Sequence, residues 1–356
     1  MTARERIRRA IRLEGPDFPP LELHDVPYLY DAYGTLDPAQ ARPATTDYDG
    51  IRVTHHWTFA DANRNEHGER LRRDEWGCLQ RVPNDTSTAY EIIEKPLVDP
   101  KAFADYRFPD PSVSDPFFER VRRVLDGRTA VRPYLDKFVC GYVDPGPLLV
   151  AFNLMGYDGL LMRLHDDLPQ VLAVMRGIVD YQKGIIDRWA AAGAHMVSII
   201  DEFAGSDGLM FAPALWREHF LPLYREIFDH IKSHGLFCGC LFDGDITAIM
   251  DDYLALQPDV VEIMQPNLVG IERWGELLDR SGSGDPSHRI CAKASVDMMT
   301  TLATGTPAQC AEEVRRLVRA LNTPEGGFIG VSLRWHRPEY PAANVRAVAE
   351  AFAGYR

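Results

Sequence analysis

The sequence has 356 residues, of which 46% are hydrophobic and 26% charged, and its formal net charge is −13. This composition supplies enough apolar material for a large core and lacks the bias of a disordered chain. The acidic excess argues against nucleic acid or an anionic membrane as partner, because clustered Lys and Arg bind phosphate. A small-molecule partner is expected. No leader-like start and no apolar run of about 18 residues are found, which predicts a cytoplasmic protein.

The N-terminal part begins with a predicted helix and a predicted strand. Residues 2–13 place Ile7, Ala10 and Ile11 three and four positions apart, as on one helix face, and an apolar run at 21–24 reads as a strand. Residues 25–126 have poor periodicity and are rich in Pro, Asp, Trp and Tyr. We interpret them as an irregular excursion near a barrel mouth, with short strands such as 51–59.

After residue 129, short apolar runs alternate with amphipathic stretches, which is the order of β/α units. Predicted strands lie at 129–134, 195–200, 235–242, 260–264, 289–295 and 328–333, and predicted helices at 168–192, 213–233, 307–322 and 341–352. With 21–24 these make seven strands, and an eighth is expected in the irregular part. The sequence therefore predicts an α/β fold, a single (β/α)8 TIM barrel spanning 1–356. An open doubly wound sheet is the alternative, but no GxGxxG turn or P-loop follows a strand.

Acidic residues follow two of the predicted strands, and catalytic groups of such barrels lie at the carboxyl ends of strands. Asp245 precedes an apolar helical run and suits an N-cap, whereas Asp243 is one step nearer the strand and is expected to face the mouth as acid, base or ligand. Glu202 is a second catalytic candidate, with a cap or an ion pair as the alternative. His24, after the first strand, is the third. Other polar strand ends lie at 134–137, 265–266, 295–297 and 334–337.

Cationic side chains provide candidates for substrate binding. Arg132, Arg334, Lys293 and the titratable His336 suit a substrate that bears a carboxylate. Pairing with a neighbouring acid is the alternative for each cation.

Strand parity separates the residues around Asp243. If Asp243 faces inward, Leu241 and Phe237 share its side, and Cys238 and Cys240 point to the helix layer. A metal site built from these two thiols and a nearby His is therefore not expected, and the thiols are interpreted as small buried hydrophobes.

Eight short motifs occur in order along the chain. They are Asp74-Glu75-Trp76-Gly77, Tyr106-Arg107-Phe108-Pro109-Asp110-Pro111, Gly193-Ala194-His195, Pro213-Ala214-Leu215-Trp216-Arg217-Glu218, Asp243-Gly244-Asp245-Ile246, Ser295-Val296-Asp297 with Gly305-Thr306-Pro307, Gly326-Gly327-Phe328-Ile329, and Pro341-Ala342-Ala343-Asn344-Val345. Together they resemble the uroporphyrinogen decarboxylase superfamily, which includes that decarboxylase and related cobalamin- or thiol-dependent methyltransferases. The resemblance implies a β/α barrel with its site at the mouth.

The chain departs from both branches at positions that matter for chemistry. Where the decarboxylases resemble one another in an Arg-Gln-Ala-Gly-Arg stretch that holds propionates, this chain reads Glu22-Leu23-His24-Asp25-Val26-Pro27, and Arg334 replaces a decarboxylase-like His. Resemblance to the methyltransferase branch implies a zinc site formed by a His-x-Cys motif at the end of one strand and by a distant Cys. In this chain the His position of that motif reads Leu241 and the Cys position reads Asp243. The usual zinc site is thus not expected. A carboxylate-rich metal site using Asp243 and Glu202 stays open.

The resemblance implies an enzyme acting on a small carboxylated or methylated metabolite by a methyltransferase-like reaction, with a corrinoid protein or a thiol as partner. Asp243, Glu202 and His24 would then orient a donor or a metal. One alternative is a decarboxylase, for a small metabolite or a tetrapyrrole, in which Arg334 or Arg132 anchors a carboxylate. Another is a non-catalytic barrel that binds a metabolite. A homodimer is also left open.

Overall fold

The computed structural model describes residues 1–23, 48–55, 58–82, 90–126, 136–282, 289–331 and 340–356. Strands are β1 (Leu21–Leu23), β2 (Gly50–His55), β3 (Phe59–Arg64), β4 (Arg70–Asp74), β5 (Leu79–Val82), β6 (Glu91–Glu94), β7 (Phe138–Val143), β8 (Met196–Glu202), β9 (Ala204–Gly205), β10 (Gly208–Leu209), β11 (Phe237–Asp243), β12 (Val260–Ile263), β13 (Cys291–Ala294) and β14 (Phe328–Val331). Helices are α1 (Ala3–Arg12), α2 (Asp115–Leu125), α3 (Pro147–Met155), α4 (Tyr157–Asp166), α5 (Leu168–Ala192), α6 (Pro213–Leu215), α7 (Leu221–Ser233), α8 (Met250–Leu254), α9 (Pro266–Val269), α10 (Ile271–Ser281), α11 (Thr301–Thr304), α12 (Pro307–Leu321) and α13 (Ala342–Ala353). No helix in these ranges is both long and apolar enough to span a membrane.

Within the described ranges, eight parallel strands form a closed barrel in the order β1, β2, β7, β8, β11, β12, β13, β14, and β14 pairs with β1. Long helices such as α5, α7 and α12 connect successive strands, as in β/α units. The predicted (β/α)8 TIM barrel and its N-terminal helix are confirmed. Helix α1 closes the foot of the barrel, because Ile7, Ala10 and Ile11 pack with Phe138 and Met196 inside it.

The eighth strand lies in the irregular part, where it was expected, and one other barrel strand lies where the sequence patterns did not place it. The eighth strand is β2, which falls within the 25–126 excursion, and β7 begins at Phe138. The predicted strand at 129–134 lies outside the described residues. Asp136 and Lys137, expected at a strand end, precede β7 and so lie at the foot of the barrel. The residue that follows β7 at the mouth is Asp144.

The excursion also contains an antiparallel sheet in the order β3, β4, β5, β6. Hydrogen bonds to backbone carbonyls of α3 connect it to the helix layer. The Cys78 thiol donates to the carbonyl of Asn153 at 3.4 Å, and the Leu97 N–H donates to the carbonyl of Leu154 at 3.0 Å. The role of 25–126 as a unit near the mouth stays a prediction.

The parity predicted for β11 is confirmed. Leu241 and Phe237 pack with the interior cluster, whereas Cys238 and Cys240 are buried among the helices. Asp243, on the same parity as Leu241, is therefore directed along the inner face at the carboxyl end of the barrel.

Candidate functional site

The carboxyl ends of β8 and β11 bring two of the predicted catalytic residues together. Glu202 and Asp243 are partners in the strand register and both are partly exposed. The hydroxyl of Tyr157, at the start of α4, donates to Oε2 of Glu202 at 3.2 Å. In the described part of the chain, neither carboxylate has a cationic side chain within ion-pair distance. As far as the described residues show, these two carboxylates make this part of the mouth acidic.

The surroundings of Glu202 make it a candidate proton donor. Burial raises the pKa of Glu202, and the negative charges of Asp243 and Asp144 raise it further, against the hydrogen bond from Tyr157. The pKa of Tyr157 is itself raised to about 12 by burial and by Glu202, so its hydroxyl keeps its proton. A carboxyl group held protonated above its ordinary range is suited to general-acid catalysis.

The tripeptide Asp243-Gly244-Asp245 divides into three roles. Gly244 has a φ of +81°, and a Cβ there would overlap the carbonyl of Ala204, so only glycine fits this turn. Asp245 accepts the N–H of Thr247 at 2.9 Å and so closes a local turn, but the N-cap of the helical turn that follows is Ile246, and the predicted capping role of Asp245 is wrong. Among the described donors, Asp243 accepts the N–H of Gly244 alone, at 3.1 Å through Oδ1, and its second carboxylate oxygen stays open to other partners.

Asp201 has a structural role beside this site. Its carboxylate is buried and accepts the N–H groups of Leu148 at 2.9 Å and Leu149 at 2.8 Å, at the first turn of α3. The hydroxyl of Tyr224 also donates to it. Burial raises the pKa of Asp201 to about 7. Because side chains alternate along β8, Asp201 fixes the helix layer while Glu202 faces the mouth.

Below the mouth lies a cluster that we name the interior charge network, formed by Glu22, Arg52, Tyr142, Glu262 and Lys293. Every member is at most 1% exposed. Lys293 pairs with Glu22, lies 3.5 Å from Glu262 and donates to the Tyr142 hydroxyl at 2.7 Å. The guanidinium of Arg52 lies 4.0 Å from the centre of the Tyr142 ring and 3.8 Å from Glu262. Two acids and two bases thus balance one another inside the barrel.

The ionisation of this network follows from burial and close charges. Burial raises the pKa of Glu22, with Lys293 opposing that rise. Burial lowers the pKa of Lys293, but the neighbouring Glu22 and Glu262 outweigh it and leave that pKa raised. Because Glu262 is in register with Leu241, two residues before Asp243, the network forms the layer under the mouth.

The remaining predicted site residues are located as follows. Lys293, predicted to bind substrate, is held in the interior charge network and is 0% exposed. Its role as a substrate ligand stays a prediction. The other four predictions, His24, Arg132, Arg334 and His336, lie outside the described residues.

Several residues of the site and its floor were missed by sequence reasoning. They are Asp144, Tyr157, Glu22, Arg52 and Glu262. One signal was available for Arg52 and Glu262, because each is a charged residue inside a short strand that is otherwise apolar or small. Asp144 and Tyr157 carry no such signal, since they lie in a loop and at a helix start.

The mouth residues do not fit the zinc site implied by the methyltransferase branch. Leu241 offers no ligand atom, and Cys238 and Cys240 are on the opposite face of β11. Among the described residues at the mouth, no three His, Cys, Asp or Glu side chains bring ligand atoms within 4.8 Å of one another. The carboxylate-rich metal site that would use Asp243 and Glu202 stays a prediction.

A closed parallel barrel with ionisable groups at the carboxyl ends of its strands belongs to the (β/α)8-barrel class, whose active sites lie at that face. The family model described as uroporphyrinogen decarboxylase (URO-D) matches residues 85–355. The chain belongs to this family, whose members are enzymes that include decarboxylases and methyltransferases.

Comparison with solved structures agrees with the fold. A methyltransferase from Methanosarcina mazei is similar with a TM-score of 0.70 and 14% identity, over 100% of this chain and 99% of the other. A B12-independent methionine synthase from Shewanella sp. W3-18-1 gives a TM-score of 0.48 and 9% identity, over 86% and 82%. At these identities the likeness concerns the fold alone. No curated protein sequence matches the chain.

Proposed function

We propose that the chain is an enzyme that transfers a methyl group from a small methylated metabolite to an acceptor supplied by a partner, at the mouth formed by β8 and β11. The observation that carries the proposal is the pairing of Glu202 and Asp243, two carboxylates without an ion-pair partner among the described residues. They favour a neutral or cationic substrate over a polyanionic tetrapyrrole, because like charges repel.

Glu202 would act as the acid of this reaction. The bond between the methyl carbon and its oxygen or nitrogen breaks, the carbon goes to the acceptor, and the released heteroatom takes the proton of Glu202. A thiol or the corrinoid of a partner protein would supply the electron pair for the new bond. Tyr157 orients Glu202 through its hydrogen bond, and Asp243 raises the pKa of that acid and contacts the substrate.

Other predicted residues fit around this centre. His24 would orient the donor, and Arg132, Arg334 and His336 would bind a carboxylate if the substrate bears one. Lys293 would support the floor beneath the substrate through the interior charge network. The zinc chemistry of the methyltransferase branch is not part of the proposal, since the described residues do not fit that metal.

Decarboxylation is the second candidate, because Glu202, whose pKa is raised by burial and by Asp243, could also deliver a proton to the carbanion left by loss of CO2. Product analysis separates the two reactions. Methyl transfer yields a methylated thiol or methylcobalamin and a demethylated substrate, whereas decarboxylation releases CO2 and leaves the methyl groups in place.

The experiment is a turnover assay with methyl ethers and methylamines, using 2-mercaptoethanol or cob(I)alamin as acceptor. We expect Glu202→Gln to lower kcat by about 10²- to 10⁴-fold. Asp243→Asn should move the alkaline limb of the kcat profile to lower pH, because removing its charge lowers the pKa of Glu202. The matched control is Asp245→Asn, since the Asn side chain keeps the oxygen that accepts the N–H of Thr247 in this turn.

The results of this assay distinguish methyl transfer, decarboxylation and metabolite binding without catalysis. Unchanged kcat in Glu202→Gln removes the acid from the mechanism. Turnover of a metabolite that a mouth variant abolishes rules out the non-catalytic binding barrel, and CO2 release without methylated product favours the decarboxylase.

A further inference from the structure

Asp187, His230 and His234 form a cluster on the outer surface of the barrel, away from the mouth. Asp187 lies on α5, His230 is in the last turn of α7, and His234 follows that helix. The Nε2 atoms of both histidines lie 2.8 Å from the same oxygen, Oδ1 of Asp187. Among the described residues, this is the one trio of His, Cys, Asp or Glu whose ligand atoms all lie within 4.8 Å of one another.

We propose that Asp187, His230 and His234 bind one divalent transition-metal ion, for which zinc is the probe. The inference is independent of the proposed function.

The helical spacing supports this site. Residues four apart on a helix share one face, and two histidines at this spacing can bind the same metal. The two rings are 5.1 Å apart between centroids and nearly perpendicular, at 85°, and both Nε2 atoms are directed at Oδ1 of Asp187. Imidazole nitrogens with one carboxylate suit zinc and its neighbours in the first transition series, and three protein ligands leave a coordination position for water.

The charges around the cluster are compatible with a cation. Glu226, one helical turn before His230, pairs with Lys183, one turn before Asp187, and with Arg176, about three turns before Asp187, at the same interface between α5 and α7. Glu226 therefore offsets one of these two positive charges beside the site. Exposed side-chain fractions of 52%, 23% and 31% for Asp187, His230 and His234 leave the side chains room to open from hydrogen-bond to metal-ligand geometry.

The position of the cluster indicates what the metal would do. The end of α7 and the end of α5 precede the first residues of β11 and β8, so the site lies at the foot of the barrel. Each of these strands has seven residues, which places the mouth about 20 Å away. A metal there would join two adjacent helices and stabilise the folded barrel, and it would not take part in chemistry at Glu202 and Asp243.

The test is calorimetric titration of metal-free protein with zinc. We expect one zinc per chain with a dissociation constant in the micromolar range, and a melting temperature about 4 °C higher at a hundredfold excess over that constant. His234→Ala and Asp187→Asn should each weaken binding at least tenfold. His165→Ala is the matched control, because His165 is an exposed histidine outside the cluster, and it should bind as the unmodified protein does.

Two further measurements complete the design. On the unmutated protein, zinc should protect His230 and His234 from acylation by diethyl pyrocarbonate while His165 still reacts, which removes any dependence on variant folding. Glu202→Gln should bind zinc normally, so failure at the mouth is distinguishable from failure here. Binding seen only at millimolar zinc, or equally strong in His234→Ala, would overturn the proposal.

Discussion

Replacing Lys293 with Met tests whether the interior charge network stabilises the barrel as a balanced unit. The substitution keeps a long apolar stem but removes the ammonium group from its contacts with Glu22, Tyr142 and Glu262. At an effective dielectric of about 20, a charge pair near 4 Å is worth about 4 kcal/mol. Removal of one partner from a buried pair costs about 3–5 kcal/mol. We expect the free energy of unfolding to fall by about 4 kcal/mol.

The loss should depend on pH with a definite sign. Burial already raises the pKa of Glu22, and loss of Lys293 raises it further. An acid whose pKa is raised in the folded state stabilises that state while protonated, and this contribution is lost as pH rises through the folded pKa. Lys293→Met should therefore be least stable in alkaline buffer and recover part of its stability in acid.

Urea unfolding of four proteins measures this effect: the unmodified chain, Lys293→Met, Glu22→Gln and the double variant. Because the two side chains are in contact, we expect the losses to be non-additive by about 2 kcal/mol, with the double variant more stable than the sum of the single losses. A single-variant loss below about 1 kcal/mol, or additive losses, would refute the balanced network.

Three further predictions concern other residues. Burial raises the pKa of Glu75 from 4.5 to about 8, so the free energy of unfolding should fall as pH rises across that interval. Urea unfolding at pH 5 and pH 9 should show that Glu75→Gln abolishes about 4 kcal/mol of this fall, and an equal fall in both proteins would refute the prediction. Gly244→Ala should lower the free energy of unfolding by about 3 kcal/mol, because a positive φ and an overlap with backbone atoms occur at the same residue. Gly193→Ala, with φ +86° and open space around it, should lower it by about 1 kcal/mol, and similar losses in the two variants would contradict the steric argument. Tyr224→Phe removes a hydrogen bond to Asp201 and should lower stability at pH 8 by about 1–3 kcal/mol, with a smaller effect at pH 5, measured by thermal unfolding.

Local patterns were sufficient for elements whose periodicity agrees with their burial. The predicted helix 168–192 coincides with α5, and Thr306 caps α12, which agrees with the helix predicted at 307–322. The strand β7 was missed because its six residues mix small, aromatic and apolar types and follow a polar stretch. Its identity depends on pairing with β2 and β8, which are distant in sequence.

The sequence by itself determined the barrel class, the family resemblance and the parity that directs Asp243 inward and the two β11 thiols outward. These follow from periodicity, strand alternation and residue types at fixed spacing. Only the tertiary structure decided which charges meet. It joined Lys293 to Glu22 across 271 positions, and it separated Asp201 as a buried cap from Glu202 at the mouth. The physical reason is that the ionisation and the chemistry of a side chain depend on its burial and on its distances to groups across the closed barrel. Neither quantity can be read from the residues next to it in sequence.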